Sequence, residues 1–353
     1  MPPLLSRRQR QIFTTVVASN WLSIFDGGNI PLYLAPMAGF TDVAFRGICK
    51  KFGADVLVSE FVQSEPLIRD NARTWRDVDF TPAQRPMGIQ IFGANADSMA
   101  RAAALLEARM QPDFIDLNFG CPARKVVETN AGSSLLRDLP ALEKIAKAVV
   151  AAVPDTVVTA KMRLGWGAST LVHRDVARIL EDAGVRVVAV HGRTKNQGYS
   201  GVADWEKIAE VVQSVRIPVV GNGDIRDGET ALRRVRESGV AGLMIGRGAL
   251  GRPWVFAEIK AALRGGEKFS PPSENEIRAM IVDYAEQICA TRVAGWESLS
   301  ERERERQNVR WFVARLHGFT QTLTGRRKLR AALSACHTLG DVKKTLAPAT
   351  ISE

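Results

Sequence analysis

Short apolar runs recur along the chain, and each is followed by residues that break a strand. Leu32 to Ala35 precedes Pro36-Met37-Ala38-Gly39, Val56 to Val58 precedes Ser59-Glu60, and Met87 to Ile91 ends at Phe92-Gly93. Phe114 to Leu117 leads into Asn118-Phe119-Gly120-Cys121-Pro122, and Val157 to Met162 runs into Arg163. Val187 to Val190 ends in His191-Gly192-Arg193-Thr194, Pro218 to Val220 in Gly221-Asn222-Gly223-Asp224, and Gly242 to Ile245 in Gly246-Arg247-Gly248. Between most of these runs lie segments with helical spacing, such as Asp97 to Arg109, Ala141 to Val153, Val172 to Ala183 and Asp227 to Glu237. Eight strands without polar alternation, interleaved with helices, predict an α/β fold, a parallel (β/α)8 TIM barrel over residues 31–262. An open doubly wound sheet is the competitor. It would want a glycine fingerprint after the first strand, and Pro36-Met37-Ala38-Gly39 is not one.

The texture changes after about Leu263. Gly265-Gly266 and Ser270-Pro271-Pro272-Ser273 read as a linker, and Glu274 to Ala294 resumes helical spacing. Ser300 to Gln307 alternates in charge, as a solvated helix face does. Helices are expected at Val309 to Phe319, Arg326 to Leu333 and Asp341 to Leu346, giving a smaller all-helical domain over 274–353. Residues 1–30 carry little pattern and read as an N-terminal extension. Arg7-Arg8-Gln9-Arg10 before Ile12 to Ala18 imitates an export signal, but Thr14, Thr15, Ser19 and Asn20 interrupt its short apolar part. No run approaches a membrane span.

Polar residues collect at the ends of the apolar runs, where barrels of this kind build their sites. They are Met37, Glu60, Gln90, Asn118 with Cys121, Lys161 with Arg163, His191 with Arg193, Asn222 with Asp224, and Arg247. A lone Cys is most often a small buried hydrophobe. Cys121 instead sits between Gly120 and Pro122 beside a polar Asn, where packing gives little reason for it. The glycine-flanked ends of the seventh and eighth strands read as an anion site, with Arg247 adding charge-assisted donors. Lys161, inside an apolar strand, needs a negative partner, and Gln90 offers an amide to a heterocycle edge. Together these suggest a barrel that binds flavin mononucleotide.

Composition narrows the setting. The chain has 353 residues, 46% hydrophobic and 24% charged, with a net charge of +10, and its pI near 9.7 suits a polyanionic partner. Cys49, Cys121, Cys289 and Cys336 lie far apart without a C-x-x-C, and four histidines contain no H-E-x-x-H. Neither a disulfide framework nor a metal site is expected, and a reducing compartment is favoured.

The run Leu34-Ala35-Pro36-Met37-Ala38-Gly39, Asp116-Leu117-Asn118-Phe119-Gly120-Cys121-Pro122, Lys161-Met162-Arg163, His191-Gly192-Arg193-Thr194, Gly221-Asn222-Gly223-Asp224-Ile225 and Met244-Ile245-Gly246-Arg247-Gly248 resembles the tRNA-dihydrouridine synthases. Ala131-Gly132-Ser133-Ser134-Leu135-Leu136 and Gly251-Arg252-Pro253-Trp254 look most like the bacterial B-type branch. The match is continuous from Leu34 to Phe256. It implies a cytoplasmic enzyme that reduces a uridine of tRNA with FMN and NADPH. Carried over residue by residue, Pro36, Met37, Ala38, Gln90, Lys161, His191, Asn222, Gly223, Asp224, Gly246 and Arg247 fall on flavin positions. Cys121 falls on the proton donor, and Asn118, Arg163 and Arg193 are candidates for holding the uracil. An ordinary Cys pKa of ~8.5 leaves the thiol protonated near neutrality, as an acid requires. The helical domain would grip tRNA, with Arg326, Arg327, Lys328 and Arg330 as a basic face. A monomer is expected, without metal or membrane. The alternatives are a free-pyrimidine oxidoreductase similar to dihydroorotate dehydrogenases and a non-catalytic RNA-binding barrel. The first would not need the basic helical tail, and the second would not need Cys121 and Lys161.

Overall fold

The computed structural model describes residues 20–265, 268–290, 299–316 and 318–347. Its strands are β1 (Leu32–Leu34), β2 (Val56–Val58), β3 (Val62–Gln63), β4 (Met87–Phe92), β5 (Phe114–Phe119), β6 (Val157–Arg163), β7 (Val187–His191), β8 (Val219–Asn222) and β9 (Gly242–Ile245). Every pairing is parallel. β1 pairs with β9 on one side and β2 on the other, and β2 pairs directly with β4, which closes a ring of eight strands. The two-residue β3 lies outside that ring, paired to the end of β4 through Val62 and Ile91. All eight expected strands are present, and the open-sheet alternative is excluded by closure.

The pleat divides each apolar run between two cores, which explains why the runs lack polar alternation. Leu32, Leu34, Ile89, Ile91, Ile115, Leu117, Val188, Val190, Leu243 and Ile245 join the core shared with the surrounding helices. Tyr33, Val56, Val58, Phe114, Val187, Ala189, Val220 and Met244 fill the barrel interior. At Gly88 an added Cβ would lie 2.0 Å from the Phe114 ring, so that ring occupies the space a side chain there would need. The 3-10 turn Trp21–Phe25 closes the bottom. The Trp21 ring packs, tilted by 31°, 4.7 Å from that of Phe114, and its indole N–H donates to the Asp113 carbonyl at 3.1 Å. Part of the expected extension is therefore the floor of the barrel, while Arg7 to Ala18 lies outside the described residues.

The C-terminal helices are Glu274–Ala290, Glu301–Val313, Arg326–Ser334 and Leu339–Leu346. The third-from-last differs from the expected Val309 to Phe319. Ser300 and Glu303 form a capping box that starts the helix inside the charge run, and its buried face is Asn308, Val309 and Phe312. The chain must leave the helix beyond Val313 because Gly318 comes against Gly251, where an added Cβ would lie 2.0 Å from the Gly318 carbonyl carbon. Helices and barrel share one apolar core: Tyr284 packs on Phe45, Phe312 and Phe319. The Tyr284 hydroxyl also donates at 2.7 Å to Asp42, the residue that caps helix Val43–Lys51.

Candidate active site

One cavity opens at the C-terminal ends of the strands. It is lined by Pro36, Met37, Gln90, Asn118, Cys121, Lys161, Arg163, His191, Asn222, Gly223, Asp224, Gly246 and Arg247 among others. Strand register brings these residues together: Gln90 sits beside Asp116, Asn118 beside Lys161, Arg163 beside His191, and His191 beside Asn222. Of the expected site residues, Ala38 and Arg193 are not on its wall.

The cysteine turn is built by side chains that accept from, or donate to, its backbone. The Asn118 Oδ1 accepts from the Gly120 N–H at 3.1 Å and the Cys121 N–H at 2.9 Å. The Ser133 hydroxyl and N–H both donate to the Cys121 carbonyl, at 2.9 and 3.1 Å. Gly132 approaches the same carbonyl at φ +59°, where a Cβ would meet it at 3.0 Å. Burial pushes the Cys121 thiol above its ordinary pKa, against the Ala123 backbone hydrogen bond and the charges of Lys161 and Arg163. The thiol is neutral near pH 7.

Lys161 faces the cavity without a hydrogen bond or ion pair among the described residues. Burial and the Arg163 charge lower its pKa to about 8, partly offset by Asp116 and Cys121. Burial, then the charges of Lys161, Arg163, Arg193 and Arg247, hold His191 far below the usual imidazole range, so it is neutral. Arg193 lies 3.3 Å from His191 Nε2. A guanidinium only donates, which places the imidazole proton on Nδ1.

Three arginines expected to reach a ligand are partly or wholly spent on the protein. Arg193, 1% exposed, donates to Ser200 O at 3.1 Å, Gly201 O at 2.6 Å and Asp224 at 2.7 Å. Its hydrogen bonds tie down the loop after β7, and it lies behind the cavity wall on which it was expected to meet the substrate. Arg163 binds the carbonyls of Gly120 at 3.0 Å and of Thr194 and Gly198 at 2.8 Å, leaving Nη2 for the cavity. Arg247 pairs with Asp224 at 3.3 Å and lies over the Tyr199 ring at 4.4 Å. The Asp224 carboxylate thus braces Arg193, Arg247 and the Ala203 N–H. Burial raises its pKa, but the Arg193 and Ala203 hydrogen bonds and the two arginine charges bring it below the usual range.

A profile of the dihydrouridine synthase family matches residues 33–353. A probable tRNA-dihydrouridine synthase from Rhodobacter capsulatus is 43% identical over 260 residues, 73% of this chain and 79% of that protein. The tRNA-dihydrouridine synthase B of Pseudomonas putida is 39% identical over 305 residues, 86% of each. The chain belongs to the dihydrouridine synthase family. Histamine dehydrogenase from Rhizobium sp. 4-9 shares the barrel fold, with a TM-score of 0.51 at 14% identity over 72% of this chain and 48% of that one.

For this family member, sequence reasoning missed Phe61 and Tyr199 on the cavity wall. Tyr199 is 57% exposed and is flanked by Gly198, Ser200 and Gly201. An aromatic in a small-residue loop directly after a strand end was the available signal.

Proposed function

We propose that this dihydrouridine synthase is FMN-dependent and reduces the C5–C6 double bond of a uridine in tRNA, with NADPH as the source of electrons. The observation that carries the reading is a neutral thiol and an unpartnered ammonium facing one cavity at the mouth of the barrel. The residues present suit a flavin. Lys161 is a half-buried cation with no protein counter-ion in hydrogen-bonding reach, which an anionic ring system answers. At Gly246 a Cβ would already touch Ala35 and the Met37 sulfur at 3.6 Å, so the bare backbone leaves room for a ligand between the last strand and the first.

Pro36, Met37, Gln90 and Lys161 would hold the ring, with neutral His191 beside it. Asn222, Gly223, Gly246 and Arg247 would hold the phosphate end. When bound, the flavin supplies a hydride equivalent for C6 of the uracil. Cys121 supplies the proton: its S–H bond breaks, a C5–H bond forms, and the thiolate regains a proton from water. Lys161, the Arg163 Nη2 and one N–H of Asn118, all on the same cavity wall, would stabilise the negative charge that develops on the base. The target base is stacked in folded RNA and must be extruded to reach this depth. Incubation with FMN, NADPH and unmodified tRNA transcript should yield dihydrouridine by mass spectrometry of the digested RNA. Flavin reduction without any dihydrouridine would refute the reading.

A further inference from the structure

Behind the cavity wall runs a chain of buried side-chain hydrogen bonds. Thr159 Oγ1 donates to Asp116 Oδ1 at 2.6 Å, and Gln90 Nε2 donates to Asp116 Oδ2 at 2.5 Å. Asn118 Nδ2 donates to Gln90 Oε1 at 2.7 Å, and Asn118 Oδ1 accepts the two backbone N–H groups of the cysteine turn. Asp116 is 3% exposed and Gln90 wholly buried. Every member is placed by register on neighbouring strands β4, β5 and β6.

The two ends fix the direction of the whole chain. Backbone N–H groups can only donate, and a carboxylate can only accept. Between them each amide has one orientation that satisfies both neighbours. Burial raises the Asp116 pKa, and the hydrogen bonds from Thr159 and Gln90 and the charge of Lys161 offset part of that rise; a donor on each of its two oxygens fits the carboxylate. Both lone pairs of the Asn118 oxygen and one of the two on the Gln90 oxygen are engaged, so the unengaged amide N–H groups are the main feature these side chains offer a ligand.

We propose that Asp116 is a positioning residue that sets the polarity of this wall, holding Gln90 and Asn118 as donors to the cavity and the Cys121 turn in its reactive geometry. The Asn118 N–H beside Lys161 matches a base edge that carries carbonyl oxygens, as uracil does, and opposes one that carries an exocyclic amine, while the Gln90 N–H suits the carbonyl edge of the flavin ring. The inference rests on the functional reading above and adds the residue that enforces it.

The test uses the flavin-loaded full chain and the isosteric variants Asp116→Asn, Thr159→Val and their combination. In D116N, the Asn oxygen can still accept from Gln90 while Thr159 turns to accept from the Asn N–H. In T159V, the carboxylate still accepts from Gln90. Only the double variant leaves the side chain at 116 free to turn its N–H towards Gln90, which removes the acceptor that anchors the Gln90 amide against Asn118. Each single change should lower single-turnover reduction of tRNA by about 3-fold. The double change should lower it by about 100-fold or more, well beyond the product of the singles. The KM for tRNA should hold, and alkylation of Cys121 by iodoacetamide should change by more than the singles predict. Losses that multiply simply, or that fall in KM or thermal stability alone, would overturn the proposal. If the parent reduces no tRNA, the functional reading falls. The alkylation arm then still decides whether Asp116 governs the cysteine turn.

Discussion

At the scale of single residues, the proposed chemistry requires Cys121 and Lys161 to hold their protons. Cys121 is pushed towards the neutral form by burial, which suits the proposed role of an acid. Cys121→Ala should keep bound flavin and its reduction by NADPH but lower tRNA reduction roughly 10²- to 10⁴-fold, the usual share of a general acid. Rapid-reaction kinetics of the two half-reactions would separate these steps, and an unchanged tRNA step would remove Cys121 from the mechanism. Lys161 has its pKa lowered to about 8. The charged form is therefore present below about pH 8 and lost above it, and activity that needs the charge should decline on that alkaline limb. Lys161→Arg should shift the limb to higher pH, because a guanidinium stays protonated there. A pH–rate profile identical in the two proteins would show that the limb belongs to another group.

At the scale of elements, the loop after β1 is tied to its neighbours by Glu60, whose carboxylate accepts from the Gly39 N–H at 2.5 Å. Burial raises its pKa from 4.5 to about 7, with Asp42 and Asp77 adding to the rise and the Gly39 hydrogen bond and Arg315 opposing it. The folded protein then binds the Glu60 proton more tightly than the unfolded chain does. Stability from this group is greatest below pH 4.5 and falls as pH rises towards 7. Glu60→Gln keeps the acceptor for Gly39 and removes the charge. Thermal melts should show the variant gaining on the parent by roughly 2 kcal/mol between pH 5 and pH 8. A stability difference that stays constant with pH would contradict the assignment.

The same loops show which parts of the site the sequence could reveal. Strands β1, β2 and β4 to β9 announced themselves as apolar runs, because parallel strands are buried on both faces. Cys121 and Lys161 stood out because each contradicted its local pattern. Arg193 carried no such sign: its partners are the carbonyls of Ser200 and Gly201 and the Asp224 carboxylate, which only the folded loop brings near. The end of helix Glu301–Val313 was equally hidden, since the contact that stops the chain, Gly318 on Gly251, spans 67 positions of sequence. Trp21 looked like part of an unpatterned extension because its partner Phe114 lies far along the chain.

At the scale of the whole molecule, charge and fold meet on helix Arg326–Ser334. Arg326, Arg327 and Lys328 are exposed in its first turn, where the helix dipole disfavours cations. That placement costs stability, which a merely solvating cluster would avoid, and it suits a surface that meets RNA phosphates. Arg330, expected to share the face, is instead turned to Thr320 at 2.8 Å. Neutralising Arg326, Arg327 and Lys328 together should raise the KM for tRNA several-fold and reduce the slope of binding against salt by about two to three. If neither moves, the cluster does not touch the substrate.

The most direct measurement is anaerobic. The protein's flavin is reduced with NADPH and then mixed with unmodified tRNA transcript, and in parallel with orotate and free uracil. Rapid reoxidation by tRNA alone, with dihydrouridine in the recovered RNA, is the result expected. Reoxidation by the free pyrimidine and not by tRNA would contradict the account and place the chain's chemistry on small molecules.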